Sequence, residues 1–213
     1  CDTRVKLHVI NLLADRHRYR YRHEAVDQCF SKLLTKVKPD IVHVGHLNHL
    51  STSLLQETHS QKIPIVFTLH DYWLMCPRGQ FMQRLGEDQN NLWAVCEKQE
   101  NYKCAVHCYS GCASGSKMEW EQDIRYWQDW VGRRMQHVQA MAKLVNYFIA
   151  PSRYLYQRFV NDFGIPENKI TYWDPKLIEA AAQMVKNFDE FKSKNLLSLP
   201  SILRETVTLI AQQ

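Results

Sequence analysis

Two histidines at matching places in this chain carry its first chemical signal. His70 is followed at once by Asp71 and Tyr72, and His46 follows Gly45. An imidazole beside a carboxylate can move a proton or hydrogen-bond an alcohol, while the carboxylate orients the ring. Arg78, in the segment Pro77-Arg78-Gly79-Gln80, can hold a phosphate or carboxylate through two parallel hydrogen bonds. Ser152 and Arg153 follow Pro151 where a helix is predicted to start, a place that favours an anion. Each residue also has a structural use. His70 can bond to backbone, Asp71 can cap the turn after it, and Arg78 can brace its loop. Ser152 can cap its helix, with Arg153 in a surface salt bridge.

The second signal is thiol. Of seven cysteines, five fall between positions 76 and 112: Cys76, Cys96, Cys104, Cys108 and Cys112. If helical, the spacing of Cys104, Cys108 and Cys112 puts three sulfurs on one face. With Cys96 they make a four-thiolate set for a structural zinc, with Cys76 or His107 as alternates. Disulfides, which need an oxidising compartment, and free thiols are the other readings. A metal here would brace a loop that lacks its own core rather than do catalysis.

The elements that must position these residues can be read from the apolar pattern. Ile63 to Leu69 is a short apolar run rich in β-branched residues, which predicts a strand buried on both faces, as in a parallel sheet. Ile41 to Val44 predicts a second strand, opened by Pro39 and Asp40. Leu47 to Gln61 between them has leucines at helical spacing, so the three form a βαβ unit. Both strands end in histidine, so His46 and His70 should share one sheet edge. In open α/β sheets ligands bind outside the carboxyl ends of the strands.

Further along, strands are predicted at 4–13, 145–150 and 169–173, and helices at 24–36, 118–145 and 153–163. Gly164 ends the last of these. Residues 77–116 lack periodicity and read as a long ordered excursion.

Composition sets the limits. The chain has 213 residues, 45% of them hydrophobic, enough for a sizeable core. A formal charge of +5 is mildly basic, and the excess is concentrated in Arg16 to His23, where basic residues alternate with tyrosine. Such a run can meet phosphate, RNA or an acidic membrane, or form a solvated loop. No apolar stretch approaches the ~20 residues that span a bilayer. The chain begins at Cys1 rather than Met, so the lack of a visible signal sequence carries no weight.

Three segments together resemble the N-terminal half of glycosyltransferase family 4 enzymes, which have the two-domain GT-B fold. They are Pro39 to Ser51, Ile63 to Gln80, and Ile149 to Leu155 with Phe163 to Ile170. The resemblance implies an α/β fold, a Rossmann-like parallel sheet with flanking helices, interrupted by the cysteine-rich excursion at 76–116. Residues 1–173 would be the acceptor-side domain. Residues 174–213 would be C-terminal helices left from the donor domain, so the chain would be partial. Such enzymes also open with a glycine-rich loop near the donor phosphates, and residues 1–20 contain none.

The implied activity is retaining sugar transfer from a nucleotide-diphosphate sugar, with no catalytic metal. By the resemblance, His70 lies beside the transferred sugar with Asp71 as its partner. His46, Tyr72, Arg78, Ser152 and Arg153 are the expected substrate-binding residues. Expected partners are the donor and a glycan, lipid-linked or small-molecule acceptor, in the cytoplasm or at the inner face of a membrane; nucleic acid is not expected. Two other functions stay open: a non-catalytic glycan-binding module of this fold, and a zinc-braced nucleic-acid binder using the basic run.

Overall fold

A computed structural model describes residues 6–10, 21–85, 92–109, 117–173 and 206–209. In chain order they form helix α1 (Glu24–Val37), strand β1 (Ile41–Val44), helix α2 (Leu54–Ser60) and strand β2 (Ile65–Thr68). A hairpin of β3 (Met82–Leu85) and β4 (Leu92–Val95) comes next. Helix α3 (Asn101–Cys104) runs into a π-turn at 105–109, and the long α4 (Lys117–Ala142) follows. Then come β5 (Tyr147–Ala150), α5 (Arg153–Arg158) with a π-turn at 159–163, β6 (Ile170–Tyr172) and β7 (Thr206–Leu209). This is an α/β fold: one parallel sheet, in the order β6-β5-β2-β1-β7, flanked by helices.

The strand order explains where the core sits. From β1 through β2 and β5 to β6 the chain steps in one direction. Right-handed crossovers then put α2, α4 and α5 on the same face of the sheet. The core agrees: Val42, Val44, Ile65, Phe67 and Phe148 pack with Phe30, Leu55, Val138 and Phe159 from the helices. Burying one leucine- or phenylalanine-sized side chain contributes about 1.5–3 kcal/mol, so this layer dominates stability. On the opposite face Ile41, His43, Val66 and Thr68 are only half-buried. The expectation of strands buried on both faces therefore holds for one face alone.

Most predicted elements appear with small shifts, and four expectations are corrected. Helix α2 starts at Leu54, not Leu47. Thr52 is tied instead to the carbonyl of Tyr21 through both its N–H (2.9 Å) and its hydroxyl (2.5 Å). Ser51 Oγ accepts from the backbone of His23 and Ser53. Serine and threonine at 51–53 thus give the backbone partners that compete with a helix. Residues 6–10 form no strand, with Leu7 and Val9 exposed; both sides of β1 are already paired, by β2 and β7. Residues 206–209, expected to be helical, form β7 beside β1; Thr-Val-Thr-Leu is rich in β-branched residues, which favour a strand. The remainder of 174–213 lies outside the described residues, as do 4, 5 and 11–13 of the expected first strand and 16–20 of the basic run. The excursion contains the β3–β4 hairpin, not anticipated from the pattern. No described helix is long and apolar enough to cross a membrane.

Candidate functional site

The chemistry-bearing residues sit where β1 and β2 end. The strands run parallel in register, Val44 beside Phe67, so His46 and His70 emerge at the same edge. Leu69 N–H is still held by the carbonyl of Ile149 on β5 at 2.8 Å. The chain leaves the sheet there and turns tightly through residues 71–79. Tyr72 N–H donates to Gly79 O, and Cys76 N–H to Tyr72 O at 2.7 Å. Gly79 adopts φ +80°, the left-handed region that glycine enters freely.

Asp71 is the hub of this turn. Its Oδ1 accepts from the backbone N–H of Trp73 at 2.8 Å. Its Oδ2 lies 2.9 Å from His46 Nε2. On the other side of that ring, Nδ1 accepts from Asn48 N–H at 2.8 Å, so the proton must sit on Nε2, which donates to Asp71. The sequence paired Asp71 with His70; the structure pairs it with His46, whose side chain is 16% exposed. Asp71 also caps the turn, which is one of its two expected roles.

His70 is exposed and lines an open cleft of about 770 Å³, with Asn48, Asp71, Tyr72, Arg78 and Trp93 around it. The Arg78 guanidinium lies 4.8 Å from the centre of the Trp93 ring, which comes from the hairpin and is 39% exposed. Tyr72 stacks on Phe81 at 5.1 Å. Burial, with the nearby Tyr154 hydroxyl, pushes the Tyr72 phenol above its usual value despite Arg158, so it stays a protonated donor. His43 reaches Thr68 Oγ1 at 2.7 Å from beneath this edge. Burial and then His70 lower its pKa, which favours a neutral ring.

Ser152 and Arg153 lie at the same sheet edge but are engaged locally. Ser152 Oγ accepts from Leu155 N–H at 3.1 Å and caps α5. Arg153 lies 5.3 Å from the ring of Tyr172. From this helix it is Leu155 that reaches the cleft wall.

Two contributors were missed by sequence reasoning. Trp93 sits in the unrecognised hairpin, which glycine, aspartate and asparagine between two apolar runs could have signalled. Arg134 of α4 is 1% exposed, and its Nη2 donates to the carbonyl of Trp73 at 2.5 Å. Its guanidinium lies 4.7 Å from the Trp73 ring, itself 5.9 Å from the His46 ring. Arg134 falls on the apolar stripe of its helix, so only its polar identity hid it.

Among the described residues, no three histidine, cysteine, aspartate or glutamate side chains are placed to hold a metal ion as they stand. Of the expected thiolate set, Cys96, Cys104 and Cys108 line one small cavity with Cys76. Cys112 lies outside the described residues, and His107 is absent from that lining.

The comparison with protein families decides the lineage. The model of glycosyltransferase family 4 matches residues 3–175. This chain belongs to glycosyltransferase family 4. The match spans the whole βαβ unit, the cleft and α5, and a glycosyltransferase-like function follows from it. No curated protein and no solved structure matches this family 4 chain significantly.

Proposed function

We propose that this chain is the acceptor-side part of a retaining glycosyltransferase. It would pass a sugar from a nucleotide-diphosphate donor to a glycan, a lipid-linked saccharide or a small-molecule acceptor. The observation that carries the reading is His70, exposed in a cleft at the carboxyl edge of a parallel sheet, in a chain of family 4. In α/β folds that edge is where ligands are held.

The geometry supports a role for each residue. His70 supplies a hydrogen bond to hydroxyls of the transferred sugar. Asp71 and His46 hold the turn that presents it, so the site is preorganised rather than assembled on binding. Trp93 offers an aromatic face for a sugar ring, and Arg78 beside it can meet an acidic group on the acceptor. A lipid-linked acceptor would bring the protein to a membrane surface.

The test is turnover. The complete protein is incubated with a panel of nucleotide-diphosphate sugars and candidate acceptors, and nucleoside diphosphate release is followed. Product configuration is read by NMR. Wild type should release nucleoside diphosphate and retain the anomeric configuration. His70→Ala should turn over about tenfold slower or worse, the worth of one strong hydrogen bond, with unchanged thermal unfolding. Saturable glycan binding without turnover would favour a non-catalytic module of the same fold. An unimpaired His70→Ala protein would remove His70 from the site.

A further inference from the structure

Four cysteines from separate parts of the excursion meet in one place. Cys76 lies in the turn after β2, Cys96 directly follows β4, Cys104 ends α3, and Cys108 lies in the π-turn beyond it. All four line one cavity of about 10 Å³, with Arg78, Phe81 and Tyr109 among its other walls. That volume is about one water-sized sphere, enough for a single small ion. None of the four is in a disulfide.

Two basic side chains reach these sulfurs. Lys103 Nζ donates to Cys96 Sγ at 3.3 Å. Arg78 hydrogen-bonds the side chain of Cys108. Four thiolates around a divalent cation carry a net charge of −4 + 2 = −2. Two cations already stand against two of the four sulfurs, as donors around a thiolate site do.

We infer that Cys76, Cys96, Cys104 and Cys108 form a tetrahedral, structural zinc site that ties the cleft turn, the hairpin and α3 together. Zinc suits four sulfur ligands and needs no redox chemistry. As placed, the sulfurs do not converge on an ion, so binding would have to draw them together across the cavity that they line. Binding would release the thiol protons, including the one that Cys96 donates to Lys98 O at 3.1 Å. The ligand set differs from the sequence expectation, with Cys76 in place of Cys112. The inference is independent of sugar transfer.

Metal content of the full chain, purified without chelator, tests it. Wild type and Cys29→Ser should carry one zinc per chain. Serine at any one of the four positions should abolish stoichiometric zinc. Cobalt in place of zinc should show intense sulfur-to-metal charge-transfer bands together with the visible bands of a tetrahedral ion. A wild-type chain without zinc overturns the inference, whether its thiols are free or its mass shows disulfides. Zinc retained in Cys76→Ser but lost in Cys112→Ser overturns the ligand set. Wild-type stoichiometry and the cobalt spectrum require no variant to fold.

Discussion

Arg134 and Trp73 meet through two contacts at once: the guanidinium lies 4.7 Å from the indole centre and Nη2 donates to the Trp73 carbonyl at 2.5 Å. The arginine is 1% exposed. Burial pushes its pKa down to about 10, against the favourable influence of Tyr109, Cys76, Tyr21 and Asp71, and it remains a cation at neutral pH. Burying a charge is costly unless its donors are used. Here they hold the residue whose N–H holds Asp71, which in turn orients His46.

Removing that anchor should be felt twice. Arg134→Met fills the space but leaves the Trp73 carbonyl unpaired, at about 1–3 kcal/mol. Arg134→Ala adds a cavity and should cost about 2–5 kcal/mol in all. Urea unfolding measures both. The His46 ring resonances should shift in the methionine variant. Unchanged resonances would show that Arg134 serves packing alone.

Acidification should destabilise the fold through two histidines. Burial lowers the pKa of His43, with His70 adding to the effect, and burial also lowers that of His137, beside Arg22 and Arg134. A histidine with a lowered folded pKa binds its proton more readily when unfolded. Its contribution is complete above the ordinary value of 6.5 and is lost as pH falls below it. Each group can add a slope of at most about 1.4 kcal/mol per pH unit. His43→Gln should flatten the acid limb of a stability–pH curve measured between pH 8 and 5; an unchanged limb would refute the assignment.

Asp27 should behave in the opposite sense. It is buried in α1, and its Oδ1 has no hydrogen-bond partner among the described residues. Burial raises its pKa, against a hydrogen bond from Ser51, with Glu57 raising it further and Arg22 and His23 lowering it. The folded state therefore holds the proton more tightly, and stability falls as pH rises from 3.8 through the raised value. Asp27→Asn should be more stable than wild type at pH 7, by about 1 kcal/mol. The gain should vanish towards pH 3 in denaturant titrations.

Two glycines separate backbone strain from site geometry. Gly79 (φ +80°) and Gly164 (φ +84°) both lie in the left-handed region. Alanine at either should cost about 1–2 kcal/mol for that reason alone. A Cβ at Gly79 would make ordinary contact, at 3.5 Å, with Asp71 Oδ2 and Trp73 Cδ1, and one at Gly164 meets nothing within 4 Å. The difference between them is that the strain at Gly79 falls in the turn that carries the site. Melting temperatures should fall similarly, while only Gly79→Ala should impair transfer. Equal activities would show that the turn tolerates the shift.

The strand pair ending in His46 and His70 was legible because an apolar run stopped by polar residues is a local signal. So was the cap by Ser152, which needs only its own helix. What escaped was set by contacts between distant segments. Asp71 stands next to His70 in the chain, yet its partner comes from the end of another strand. Arg134 lies three residues after Val131 and four before Val138 on a buried stripe, and nothing local says that a carbonyl from position 73 awaits it. Helix α2 began late because Tyr21, thirty-one residues upstream, claims Thr52.

Among the described residues the β3–β4 hairpin pairs only with itself and contributes no strand to the main sheet. It nevertheless supplies Met82 and Trp93 to the cleft. Changes of length or residue at its tip can therefore accumulate without disturbing the register of any parallel strand. Descendants of such a chain could exchange one acceptor for another by drift in this appendage while inheriting the scaffold intact. Specificity would then diverge faster than architecture.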